Sequence, residues 1–346
     1  MSDPNPIARA LDRAAPGCVI ELAPGDYPGF GLGFNGKQGW TSSTAGGEPL
    51  RPIVIRGTLG ARILPAGRSD TISVGGQVPT AHVRFEFLEI HAGERAGVMF
   101  YDLPDDRSHK GFEFVDCRID GGWNHVAKSG SSSKWGVLGH DLEDFVFKGD
   151  SRRASVANIR HEHAFYLQSP RGDLTLEKLD ASRLGRTFVQ VTARERSGPP
   201  GRGLITVRDC DVSDVAIAEG DGYKGGAAFT FAGRLASCTI LVEDCKYRAG
   251  FEPALRALTG PSAPYGTGAL VAWGGGEAAP MNGMLILRGN DFEFAAGCGD
   301  RPVVSIGACQ QVSIEDDNRF VAGAFGVALA LDPLRGDGSL QDQPNG

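Results

Sequence analysis

Long apolar runs are missing from this chain. No stretch of about 18 apolar residues occurs, so no segment is suited to span a membrane as a helix. The N-terminus, MSDPNPIARALDRAAPG, has no charged stretch followed by an apolar core, so no signal peptide is visible. That leaves a cytoplasmic protein, or a secreted one whose leader has been removed. The seven cysteines include no CxxC pair and no metal-like spacing, and read as free, mostly buried thiols. Positive charge is also short. Lys and Arg number 35 against 42 Asp and Glu, a formal charge of -7, which argues against a nucleic-acid backbone as partner. An acidic ligand would have to be met by a local basic patch, not by the global field.

Glycine is what the chain has in excess. Its 50 glycines are far above the usual share of about 7% and follow no G-X-Y period, so collagen is out and many tight turns are in. Apolar content of 41% and charged content of 22% fit a folded protein, and 346 residues allow one large domain or two ordinary ones. Ile7 to Ala15 predicts a short helix with Ile7, Ala10 and Leu11 on one face, stopped by Pro16-Gly17. CVIELAPGDY follows as a strand closed by a Pro-Gly-Asp turn, residues 29–49 read as an excursion loop, and PIVIRG, ARILPAG and DTISVGG are further strands. GLGFNG (31–36) matches GxGxxG, but no helix pattern follows, so it reads as loop.

From Val83 a repeat becomes legible. One strand type is apolar at n and n+2, with an apolar, Cys or Asn/Asp residue at n+5. It fits Val83/Phe85/Leu88, Phe112/Phe114/Cys117, Phe145/Phe147/Asp150, Leu174/Leu176/Leu179, Ile205/Val207/Cys210, Ile240/Val242/Cys245 and Leu285/Leu287/Asn290, and, with a slip, Val312/Ile314/Asp317. Between these lie GVMFY, WGVL, AFYL, FVQV, AFTF, ALVAW, VVSI and GVALAL. A strand that alternates briefly, turns, and buries n+5 is bending around a narrow core, and recurrence about every thirty residues suits stacked coils. The n+5 residues would then form one internal column.

The N-terminal helix with CVIELAPGDY, PIVIRG, HAFYLQ, VRDCDV and VEDCKY resembles the right-handed parallel β-helix, pectate-lyase-like superfamily, from Ile7 to Pro333. The expected fold is all-β: a single-stranded right-handed parallel β-helix, or solenoid, over residues 1–333, with a short N-terminal capping helix and a polar tail over 334–346. The resemblance implies a carbohydrate-active protein, since the superfamily includes polysaccharide lyases, glycosidases, sugar epimerases, tailspikes and adhesins. It also brings in calcium, which several pectate lyases use and which would need a carboxylate cluster such as Asp209, Asp211 and Asp214, or Glu219 and Asp221. Otherwise no cofactor is expected. His161-x-His163 shares a strand face, but Glu162 between them is expected to face the other way and no third ligand follows, so no metal site is assigned.

With Phe165 and Leu167 inward, Tyr166 and Gln168 point out; parity also sends His163 inward. The same reasoning puts Gln190 and Thr230 outward, with Arg194 and Arg234 at strand ends. One exposed ribbon thus gathers His, Tyr, Gln, Thr and Arg, with Lys134, His140 and Tyr101 on earlier coils. A polysaccharide or oligosaccharide is the expected partner, and β-elimination on a uronate-containing glycan the expected reaction. His161 or His163 would be base, Tyr166 acid or base, and Arg194 or Arg160 would neutralise charge. Arg186, Lys224 and Trp273 join Arg160, Gln168, Gln190, Thr230 and Arg234 as substrate-binding candidates. A glycoside hydrolase would need two outward carboxylates about 5–10 Å apart on adjacent rungs, which the pattern lacks. The same ribbon also suits a sugar epimerase, or a structural β-helix that binds glycan without catalysis.

Overall fold

The computed structural model describes residues 5–332 except 36–38, 79, 104–106, 125–132, 194–200, 216, 218–226, 252–267, 274–281, 299–301, 308 and 324–325. The tail 334–346 therefore lies outside the described residues.

Short strands follow one another into three sheets, and among the described residues every pairing between named strands is parallel. The first coil is typical. Val19–Leu22 opens the first sheet, Gly25–Pro28 the second and Phe30–Leu32 lies in the third, before the chain returns to the first at Ile53–Gly57. Each later coil repeats this order, which makes the molecule a parallel β-helix. No helix is long and apolar enough to cross a membrane among the described residues. Two expectations change. Gly25-Asp26 begins a strand instead of closing a turn, and the glycine-rich stretch 29–49 contributes Phe30–Leu32 and Thr41–Ser42 to the third sheet.

Helix α1 spans Pro6–Arg13. Asn5 caps it by accepting the Ala8 N–H and donates its own amide to the Gly29 carbonyl of the first coil. Its buried face is Ile7, Ala8 and Leu11, with Ala8 in place of the expected Ala10. Stacking then puts like on like. Phe85, Phe114 and Phe147 are register partners in successive coils, with centroids 4.5 and 5.4 Å apart.

The n+5 column exists, with two corrections. Leu88, Cys117, Leu179, Cys210, Cys245 and Asn290 are buried. Asp150 is exposed and Ala154 takes its place, opposite Leu179, because the turn at 149–153 is longer. Buried Asp116 in the coil before holds that turn, accepting from the N–H groups of Asp150, Ser151 and Arg152 and from Ser151 Oγ. At the last coil Asn318, not Asp317, enters the column. Its Oδ1 accepts from Asn290 Nδ2 at 2.9 Å, while Asp317 caps Gly289 from outside. Charges ladder on the outside of the first sheet, where Arg208 pairs with Glu177 and Arg288 with Glu243 and Glu315.

Candidate active site

The third sheet carries the candidate site, because its outward side chains run along the coil axis. Its strands begin at a corner where two consecutive residues face the core: Ala164 and Phe165, Phe188 and Val189, Ala228 and Phe229, Ala269 and Leu270 are all buried in it. At the two preceding coils the corner residue is glycine. A Cβ on Gly97 would come within 2.8 Å of Ile119 Cγ2, and one on Gly136 within 2.8 Å of Val156 Cγ1, both core atoms of the second sheet. The extra inward residue shifts the alternation, so the residue before it lies on the outer flank.

His163 is the consequence. Its expected inward parity is overturned: it is buried, but on the outer flank, with its ring against Tyr166 at 4.9 Å between centroids and 15° between planes. Nε2 meets Gln190 Oε1 at 2.6 Å on the next coil. Nδ1 lies 3.0 Å from Glu162 Oε2, so Glu162 turns toward His163 and not away from it. Burial holds the imidazole below its ordinary pKa, and the nearby Arg186 cation adds to this. Burial pushes the Glu162 carboxyl up, but His163 and Arg186, the latter 3.3 Å away, outweigh it and keep Glu162 low.

Register fixes three outward columns. The first holds Ala96, Trp135 and His163; the second Met99, Leu138, Tyr166, Gln190 and Thr230; the third His140 beside Gln168, then Thr192. Ala96, Met99 and Leu138 form a small apolar patch of their own, against which Tyr101, Trp135 and Tyr166 pack. Trp135 Nε1 is buried without an acceptor. His140 Nδ1 lies 2.9 Å from Asp102. One coil toward the N-terminus, Arg95 grips Asp70 with Nε at 2.7 Å and Nη2, and Nη2 also reaches the Tyr101 hydroxyl at 2.5 Å. Arg95 and Tyr101 stand at opposite ends of one strand, so a side chain from the Arg95 position lies across the ribbon. Lys134 occupies that position one coil on, its N–H bonded to the Arg95 carbonyl. Lys134 is exposed.

The remaining candidates are spread over the ribbon and its borders. Tyr166, Gln168 and Gln190 are half-buried on the ribbon. Thr230 is on it but buried, its hydroxyl toward the Ala227 carbonyl at 3.4 Å. Arg160, His161 and Arg186 are half-buried at the corner ahead of the ribbon, His161 with a left-handed backbone (φ 70°) against which Gly185 packs. Arg234 is half-buried just past strand Phe229–Gly233. Arg194, Lys224, Glu219 and Asp221 lie outside the described residues, as does the Trp273 side chain. Asp209 is engaged by Arg153 at 3.0 Å, and among the described residues no group of three or more His, Cys, Asp or Glu could hold a metal. Strand parity gives too little weight to Lys134, Trp135 and the Glu162–His163 contact; a corner with two inward residues in a row (Ala164-Phe165) is the signal for the last. A concavity of about 540 Å³ lies elsewhere, lined by Tyr27, Pro28, Pro65, His91 and Asp120. Asp120 there already accepts from Gly122 and Asn158.

No protein-family model matches the sequence, and no curated protein does. Among solved structures the chain is similar to the crystal structure of an alginate lyase from Paenibacillus sp. str. FPU-7, with a TM-score of 0.55 and 11% identity over 93% of this chain and 95% of that one. At that identity the likeness shows the fold alone, consistent with the parallel β-helix described above.

Proposed function

We propose that the protein is a polysaccharide lyase that cleaves a uronate-containing glycan by β-elimination on the outer face of the third sheet. The observation that carries this reading is the arrangement of Tyr166. Its phenol sits on the ribbon, half-buried, with its ring backed by a neutral imidazole and an apolar-aromatic patch along the coil axis beside it. A sugar chain laid along the axis would stack on Trp135 and the Met99–Leu138 patch. Lys134 would neutralise the uronate carboxylate, and the side chain of Arg95 shows that this position reaches across the strand. The base takes the proton from C5, that electron pair forms the C4–C5 double bond, the C4–O4 bond breaks, and O4 takes a proton from the acid. Tyr166 is assigned as the group that handles these protons, with His140 in the neighbouring column, opposite Gln168. His163 is a positioning residue: it is buried, and Gln190 occupies its Nε2.

The alginate-lyase likeness supports this reading at the level of the fold. The acids named on or beside the ribbon also favour it over hydrolysis. Asp70 is held by Arg95, Asp102 by His140 and Glu162 by Arg186, which leaves no free carboxylate pair among them. The test is absorbance near 235 nm across a panel of polyuronates. A rise on at least one supports the reading. New reducing ends without that absorbance would replace it with hydrolysis, and binding without either product would replace it with glycan binding.

A further inference from the structure

His163 stands between two oxygens. Nδ1 lies 3.0 Å from Glu162 Oε2, and Nε2 lies 2.6 Å from Gln190 Oε1. A neutral imidazole carries one N–H, so it serves only one of them. The other nitrogen then turns its lone pair on an oxygen, in a buried place where the repulsion is not screened by water. Three adjustments would relieve this: a second proton on His163, a proton on Glu162, or a half-turn of the Gln190 amide that exchanges its oxygen for its NH2. Burial of the ring and the nearby Arg186 cation oppose the first. Arg186 opposes the second, with Nη1 3.3 Å from Glu162 Oε2. The half-turn keeps the shape of the side chain and breaks no other bond, since neither end of the amide has a further partner among the described residues. The single proton belongs on Nδ1, because a proton beside an ionised carboxylate is held more strongly than one beside an amide oxygen. Stacking on Tyr166, at 15° between planes, fixes the plane of the ring.

We propose that Glu162, acting through His163, turns the Gln190 amide so that its NH2 meets Nε2 and its carbonyl oxygen faces the ribbon, which makes Gln190 the residue that selects a sugar hydroxyl beside Tyr166. Gln190 is the register partner of Tyr166 on the next coil and is half-buried in the same outward column. A side-chain amide left to itself shows a donor or an acceptor with equal ease and discriminates little. Held by His163, it shows an acceptor only, so a ligand must bring an O–H to that point. On the lyase reading, from which this part proceeds, a uronate supplies that O–H from its ring, whereas a uronate O-acetylated there lacks the donor and leaves the oxygen unpaired. Gln190 meets the ligand; Glu162 and His163 are positioning residues behind it.

Nitrogen-15 NMR of the full, ligand-free chain reads the His163 tautomer directly, its signals assigned by their loss in His163→Gln. At pH 7.5 the proton is expected on Nδ1, with none on Nε2. Glu162→Met, which removes the carboxylate, should move it to Nε2. These spectra need no turnover, so they decide the inference even if no polyuronate is cleaved and the lyase reading falls. On a polyuronate that is cleaved, Glu162→Met and Gln190→Ala should each raise KM about 10-fold with kcat little changed, and the double variant should be no worse than Gln190→Ala alone. Three outcomes overturn the inference: a proton on Nε2 of the unaltered chain, alone or together with one on Nδ1; a tautomer that Glu162→Met leaves where it was; or a Glu162→Met penalty that persists in full in the Gln190→Ala background. Should Glu162→Met fold poorly, the spectrum of the unaltered chain still decides.

Discussion

His163 and Tyr166 stack ring on ring at 4.9 Å although they stand three residues apart, an odd spacing that simple strand alternation sends to opposite faces. The corner at Ala164-Phe165 absorbs the difference by putting two neighbours in the core. A buried neutral imidazole thereby becomes the backing of an accessible phenol.

If Tyr166 handles the protons, Tyr166→Phe should lower the 235 nm rate by about 100-fold or more, the usual contribution of a positioned acid or base. His163→Gln should lower it less, and should move the pH profile because it alters the surroundings of the phenol. Equal activity in Tyr166→Phe would remove Tyr166 from the mechanism.

Stability should fall as the solution is acidified from about pH 6.5. Burial lowers the pKa of both His163 and His109 in the folded protein. The unfolded chain then takes up protons first as pH drops below the ordinary value of 6.5, so the stabilisation from neutral burial is whole above that pH and is lost below it. Thermal melts at pH 7.5, 6 and 5 check this; a flat Tm would contradict it. Below about pH 4.5 carboxylates held low by partners, such as Glu143 and Glu162, add a second loss of the same sign.

Asp141 and Arg171 form a buried ion pair at the corner past the third-sheet strands Trp135–His140 and Phe165–Gln168, with Oδ1 at 3.0 Å from Nε and 2.9 Å from Nη2. Asp141→Ala strands the guanidinium and should cost about 3–5 kcal/mol in urea unfolding. Asp141→Leu combined with Arg171→Met should recover most of that. A double variant no better than the single would show that the pair does more than neutralise itself.

The thiols should divide by burial. Cys117 and Cys238 are pushed up to about 12 by desolvation, and Cys210, Cys245 and Cys298 are buried too. Native protein should therefore give one fast reaction with a thiol reagent, at exposed Cys18, and a slower one at half-buried Cys309. The other five should react only on unfolding.

The sequence by itself determined the coils. Alternation at n and n+2 is a property of a single strand, and a buried residue at n+5 signals a bend, so Phe112, Phe114 and Cys117 announce their own geometry without reference to any other coil. The same logic placed Tyr166, Gln168 and Gln190 outward. What only the tertiary structure decided was anything that depends on how a coil closes or on how long its turns are. The turn at 149–153 displaced Asp150 from the column, and the longer turn before Asn318 did the same to Asp317. The corner that admits Ala164 alongside Phe165 turned His163 out of the core and Glu162 toward it. Closure of a three-sided coil is a global constraint: residues roughly thirty apart must meet in register, and the extra residue that lets them do so breaks the local alternation at the place where the candidate site is built.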